Sequence, residues 1–199
     1  NVWYRTGKDM GYLHRLYDAL ERFDSYLWRT RDTDKDGCLE SFCVWDTGED
    51  GSTRFFGGPD AWGSDEAPYG QARLPYESMD VMSYSYDGRI TLAEISAILG
   101  NGEEEKWRAG AESLKKKLNS YLWWEERGAL FDRDCDNKFL DTLIHNNLRV
   151  MYHGAYDKSK AHRFVREHLT NPEEFFSPLP LTSIAANDPL FVSDAYNTW

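Results

Sequence analysis

Five separated stretches of this chain repeat apolar residues at three- and four-residue steps, and an aperiodic interval, residues 30–79, separates the first two. In residues 8–29, Met10, Leu13, Tyr17, Leu20, Phe23 and Leu27 form one stripe while Arg15, Asp18 and Arg22 lie opposite, which predicts an amphipathic helix. Ile90, Ala93, Ile95 and Ile98 predict a second helix over about 80–99, stopped by Gly100 and Gly102. A third, over about 103–122, opens on Glu103, Glu104 and Glu105, whose charges suit the positive end of a helix dipole. It carries Trp107, Ala111, Leu114, Leu118 and Leu122 on one face and is closed by Trp123 and Trp124. Residues 128–137 read as a short extended piece and a turn. Two further helices are predicted over about 138–152 (Leu140, Leu143, Ile144, Leu148, Met151) and 158–169 (Ala161, Phe164, Val165, Leu169). From Asn171 onward Pro172, Pro178, Pro180 and Pro189 exclude a continuous helix. The expected class is all-α: helical hairpins with long loops, and loops of that length in a compact domain are usually functional.

A chain of 199 residues with 41% hydrophobic and 15% aromatic content can bury one sizeable core. Its net charge of −11 opposes nonspecific binding to nucleic acid or to an anionic membrane surface, so neither is an expected partner. Eight Trp and twelve Tyr suit stacking on the apolar faces of sugar rings, although most aromatic residues in any domain serve its core. Cys38, Cys43 and Cys135 cannot all pair and do not have zinc-ligand spacing, so they are expected to be buried thiols. Unpaired cysteines lean towards a reducing compartment such as the cytoplasm. The chain opens on Asn1 rather than Met, which suggests that residues precede it.

The segment WDTGEDGSTRF, residues 45–55, concentrates chemistry. Hydrolysis of a glycosidic bond needs one carboxyl to protonate the departing oxygen and a second to activate water or attack carbon. Asp50 is the candidate acid. Trp45, Phe55 and Phe56 around it offer a desolvating wall that raises a carboxyl pKa, and the charges of Asp46 and Glu49 add to the effect. The plainer alternative is an acidic turn beside Gly48. Arg54 is either a ligand for a substrate oxygen or an ion-pair partner that orients a nearby acid.

Three other groups stand out. DTDKDGCLE, residues 32–40, spaces Asp32, Asp34 and Asp36 as calcium ligands, with Gly37 at the sharp turn. The helix-loop-helix version needs a bidentate Glu where this chain has Cys43, so an EF-hand is not expected, and the alternative is that the three cap turns. PYESMDVMSYSYDGR, residues 75–89, gathers Glu77, Asp80, Tyr84, Tyr86 and Asp87 near a helix start, with Asp80 the preferred sugar-hydroxyl ligand. Tyr84 and Tyr86 are equally readable as core rings, and Asp87 with Gly88 as a turn. His145 and Arg149 share one face of the helix predicted over 138–152, where a lone His is more often structural than catalytic.

Trp45, Thr47, Gly48, Asp50, Ser52, Arg54 and Phe55 match a W-x-(S/T)-G-x-D-x-S-x-R-(F/W) signature, so the chain resembles trehalases and glycoside hydrolase family 63, including its mannosylglycerate hydrolase-like enzymes. The closing loop, residues 171–191, resembles the F-x-(S/T)-P-x-P-(L/I)-x-S-(I/V)-A-x-(N/D)-D-P-x-F segment of the latter. The resemblance implies an (α/α)6 toroid with its active site at one rim, and inverting hydrolysis of an α-glycosidic bond with Asp50 as general acid. It implies sugar-binding roles for Trp45, Gly48, Arg54, Phe55, Trp62, Asp80, Tyr84, Pro178 and Ser183. Leu179 and Pro180 are further implied pocket walls. No cofactor is required, and a D-x-D-x-D-G stretch in such enzymes is compatible with a structural calcium ion. Five helices are too few to close the toroid, so residues 1–199 are expected to form part of a catalytic domain whose remainder supplies the base. Glu77 is only a substitute candidate for that base. The substrate expected is an oligosaccharide or small glycoside, with glucose or mannose in α linkage. A noncatalytic carbohydrate-binding or scaffold fragment is the alternative, and a calcium-binding interaction module a third reading.

Overall fold

The computed structural model describes residues 2–43, 46–48, 53–55, 74–178 and 181–191. Helices dominate, as the apolar periodicity predicts. A short α1 (Val2–Arg5) precedes α2 (Met10–Thr30), which Asp9 caps by accepting a hydrogen bond from the Tyr12 amide at 3.1 Å. Next come β1 (Glu40–Ser41), one 3-10 turn (Thr53–Phe55) and β2 (Tyr76–Glu77), with β1 and β2 antiparallel and Glu40 opposite Glu77. Helix α3 (Met79–Leu99) begins at once and ends on Gly100, whose φ of 64° lies in the left-handed region that glycine adopts without strain.

Helix α4 (Glu104–Tyr121) folds back on α3, burying Leu114, Leu118 and Leu122 against Val81, Met82 and Tyr86. The Trp pair after it is not helical. Trp123–Trp124 form β3, antiparallel to β4 (Ala129–Leu130), and the Trp124 ring stacks on Phe139 at 4.8 Å. Helix α2 packs on α3 through Leu13 and Tyr17 against Leu92, Ala93 and Ile95, and the Trp107 indole donates to the Tyr17 hydroxyl at 2.8 Å. Met10 and Phe23, placed in the same stripe by sequence, are exposed.

The helix predicted over 138–152 is largely absent: only α5 (Asn147–Tyr152) is helical. Residues ahead of it run extended because long-range partners hold their backbone. Leu140 donates to the Asp132 carbonyl at 2.9 Å, Phe139 bridges Arg133, and Ile144 bridges Ile184. Leu143 and Ile144 still reach the core, so their apolar character serves burial without helical geometry. His145 therefore precedes α5 and shares no helix face with Arg149. The fold continues with α6 (Lys158–Phe164), capped by Asp157, and a π-turn over Val165–Leu169. Cys38 and Cys43 are buried, but Cys135 is exposed, contrary to expectation. No helix of the described residues is long and apolar enough to cross a membrane.

Candidate active site

The stretch expected to carry the acid is fixed on both sides. On its entry side, Asp46 accepts from the Phe42 amide at 2.6 Å and from the Arg31 guanidinium at 3.1 Å. The Thr47 carbonyl accepts from Arg149 Nη1 at 2.7 Å. Gly48 follows with a φ of 72°, a turn conformation that disfavours side-chain-bearing residues. On the exit side the Arg54 side chain is 1% exposed and meets two carboxylates. It donates to both oxygens of Asp80, at 2.9 and 2.8 Å, to Asp132 Oδ2 at 2.7 Å and to Ser78 Oγ at 3.1 Å. Of the two readings open for Arg54, the structure supports the ion-pair partner. Asp50 itself, with Trp45, Ser52, Phe56, Trp62, Leu179 and Pro180, lies outside the described residues.

Local structure explains why these partners converge. Tyr76–Glu77 pair with β1 and hand the chain directly to α3, whose entry places Ser78 and Asp80 beneath Arg54. Asp132 follows the buried Ala129–Phe131 run, and its second oxygen accepts from the Met79 amide at 3.0 Å. Asn146 donates to Asp80 Oδ2, and Arg149 lies 3.5 Å from the same oxygen. Burial by itself raises the pKa of Asp80, but Arg54, Arg149 and the Asn146 amide together hold it below the usual carboxylate value. Burial pushes Asp132 up to about 6, with Arg54 pulling it down and the charge of Asp80 adding to the rise.

Several sequence expectations change in consequence. Asp80 is 0% exposed, with both oxygens turned onto protein donors, so its place in the fold is to hold Arg54 rather than to meet a sugar hydroxyl. Phe55 is 1% exposed and stacks on Tyr76 at 5.7 Å, beside Leu74 and Leu140; it belongs to the core. Ser183 is buried and its carbonyl accepts from the His145 amide at 2.9 Å, fastening the closing loop beside Asn146, while Pro178 is exposed. Glu77 is buried on β2, where desolvation pushes its carboxyl up to about 8. A base must be ionised to accept a proton, so this environment does not suit that role. Asp32, Asp34 and Asp36 bring carboxylate oxygens within 4.8 Å of one another in the loop after α2.

Tyr84 and Tyr86 divide between the two readings that sequence left open. Tyr86 is buried in the core, whereas Tyr84 is 37% exposed and its hydroxyl accepts from Arg149 Nη1 at 2.8 Å. Asp87 and Gly88 continue α3 without a turn, and Asp87 lies 3.0 Å from His153 Nδ1. A mainly apolar cavity of 320 Å³ lies between α2 and α3 beside Tyr84 and His153. A second, of 180 Å³, borders Arg54, Tyr76, Asp132 and Leu140. Asp132 and Ser78 escaped the sequence reading. The available signal was an acid placed immediately after the apolar Ala129–Phe131 run, where burial demands a cationic partner.

The fold is similar to that of GH63 mannosylglycerate hydrolase from Thermus thermophilus in complex with glucose: TM-score 0.75, 15% identity, covering 96% of this chain and 55% of that one. The same enzyme with Tris and D-glycerate gives a TM-score of 0.72 at 16% identity, covering 98% of this chain and 57% of that one. A GH78 family rhamnosidase of Bacillus sp. GL1 gives 0.57 at 17% identity, over 82% of this chain and 15% of that one. The chain thus spans about half the length of the Thermus enzyme, and its helices form part of the (α/α)6 architecture. Its whole length, residues 1–199, matches the model of the mannosylglycerate hydrolase MGH1-like glycoside hydrolase domain. On that match, the chain belongs to the MGH1-like family of glycoside hydrolase domains.

Proposed function

We propose that this chain supplies the general-acid half of an inverting α-glycosidase, with Asp50 protonating the departing glycosidic oxygen. The observation that carries the reading is the double anchoring of the segment that contains it. Arg149 holds the Thr47 carbonyl, and Asp80 with Asp132 holds Arg54, so Asp50 lies within a short span tethered at both ends. Fixing a proton donor relative to the scissile bond lowers the barrier because no orientational freedom is lost at the moment of reaction. Arg54 is already neutralised by carboxylates, so its contribution is to position the loop rather than to bind substrate charge.

The base activating water belongs to another part of the catalytic domain, consistent with the chain covering 55% of the Thermus enzyme. In an inverting enzyme the two carboxyls stand roughly 6.5–9.5 Å apart, leaving room for that water. Tyr84, exposed and tied through Arg149 to Thr47, is the proposed hydroxyl ligand among the described residues. Trp45 and Trp62 are proposed as sugar-stacking walls. The favoured substrate is a small glycoside of α-linked glucose or mannose, in keeping with the glucose complex of the relative.

Proton NMR of the first-formed sugar tests the mechanism in the full-length protein. Release of the β anomer from an α-glycoside is expected. Initial release of the α anomer would overturn inversion, and sugar binding without turnover would favour a noncatalytic scaffold.

A further inference from the structure

One side chain, Tyr84, joins the anchored acid-bearing segment to the apolar cavity between α2 and α3. Its hydroxyl accepts from Arg149 Nη1 at 2.8 Å, and the same nitrogen donates to the Thr47 carbonyl at 2.7 Å, a short step along the chain from Asp50. The Tyr84 ring borders the 320 Å³ cavity and meets the His153 ring edge-on at 5.3 Å. Leu20, Phe23 and Leu27 from α2 and Leu92 from α3 supply its apolar walls. Gly88 opens the α3 side, where nothing stands within 4 Å of an added Cβ. Pockets that take small ligands begin at about this size, roughly 300 Å³.

The charges around the cavity select against an anion. Among the described residues no lysine or arginine lines it, whereas Asp24 and Asp87 do. Asp24 accepts from Arg89 Nε at 2.9 Å and Nη2 at 3.2 Å, and Asp87 Oδ2 lies 3.0 Å from His153 Nδ1, so the polar groups at the margin are engaged with each other. A carboxylate drawn in would lose its water and meet two acids without a cation to spare, which is costly. An uncharged apolar group would lose nothing polar and would gain the burial of its own surface.

On the reading of Asp50 as general acid, we propose that this cavity is the leaving-group site and takes an uncharged alkyl aglycone. A general acid stands within hydrogen-bond reach of the oxygen it protonates, so the departing half of the substrate lies on the side of the acid-bearing span. Tyr84 is where that span and the cavity meet: its hydroxyl faces the Thr47 anchor through Arg149 and its ring faces the cavity. Asp50 gives its proton to the glycosidic oxygen as the bond to the anomeric carbon breaks. Water adds its oxygen to that carbon and loses a proton to the base, and the aglycone departs as a neutral alcohol whose chain the leucines and Phe23 cover.

The test is steady-state kinetics of the full-length protein on methyl, butyl and carboxymethyl α-glucosides and α-mannosides. Each methylene removed from water favours binding about fourfold, so kcat/KM for butyl should exceed that for methyl by about tenfold or more, with carboxymethyl no better than methyl. Gly88→Leu, which fills the cavity from α3, and Phe23→Ala, which removes an exposed wall, should each bring the butyl-to-methyl ratio towards one, with Tm recorded to confirm folding. Equal kcat/KM for butyl and methyl, or a carboxymethyl glycoside turned over faster than butyl, would overturn the assignment of the cavity while leaving the glycosidase reading in place. A butyl preference that both variants leave intact would place the alkyl chain elsewhere and overturn it as well. Absence of turnover across the whole series would overturn the glycosidase reading and the leaving-group site together.

Discussion

Arg54 and Asp80 meet through two parallel hydrogen bonds, Nη1 to Oδ2 at 2.9 Å and Nη2 to Oδ1 at 2.8 Å, with 1% and 0% of the two side chains exposed. Such a fork depends on a planar guanidinium and a carboxylate held in plane with it. Removing one member leaves the other charge buried and unpaired, which costs about 3–5 kcal/mol. Asp80→Asn and Arg54→Met are each expected to lower unfolding free energy by that order in urea titrations. Arg54→Lys should recover only part of it, because an ammonium cannot make the paired contact.

Asp132 should give the clamp a pH signature. Its folded pKa is raised to about 6 from 3.8, so over that interval the folded state binds more protons than the unfolded one. Stability contributed by its protonated form is present below about 4 and is lost as pH rises through about 6, on the order of a few kcal/mol. Asp80 acts in the opposite direction and only at lower pH, because its folded pKa is lowered. Unfolding free energy measured from pH 4 to 7 should decline more steeply in the wild type than in Asp132→Asn. Parallel curves would show that Asp132 does not titrate in this window.

Arg149 joins the Thr47 carbonyl to the Tyr84 hydroxyl while remaining 27% exposed. Its loss should disturb position more than stability. Arg149→Lys is expected to reduce kcat/KM by about tenfold, on the scale of a misplaced catalytic loop, with Tm little changed. Tyr84→Phe should raise KM with kcat nearly constant, the mark of a lost ground-state contact. Steady-state kinetics on both variants, with Tm recorded in parallel, separates these outcomes.

Two glycines should respond oppositely to alanine. Gly88 lies inside α3 with nothing within 4 Å of an added Cβ, so Gly88→Ala should stabilise by about 0.5–1 kcal/mol. Gly128 has a φ of 65°, and an added Cβ would come within 2.9 Å of Arg163 Nε, so Gly128→Ala should cost more than about 1 kcal/mol. Denaturant midpoints measure both.

Local periodicity made α2, α3 and α4 legible, because their burial pattern repeats with the helix itself. It misled over residues 138–146, where Leu140, Leu143 and Ile144 sit at helical spacing, but the Leu140 amide donates to the Asp132 carbonyl, the Leu143 carbonyl accepts from the Ala185 amide and Ile144 bridges Ile184. Nothing within a local window reports such partners. Arg54 was visible as a functional position, yet its pairing with Asp132, 78 residues away, is a product of topology. The same holds for Glu77, whose position opposite Glu40 depends on strand pairing rather than on spacing. Asp80 and Phe55 were picked for residue type, and only burial reveals that both face inward.

The account rests on Asp50 as proton donor, and leaving-group dependence tests it most directly. An unactivated α-glycoside needs its departing oxygen protonated, whereas an α-glycosyl fluoride has much less need. Asp50→Asn in the full-length protein should lower kcat on the former by about 10²–10⁴-fold while retaining most activity on the fluoride. Equal kcat for variant and wild type on the unactivated glycoside would contradict the account.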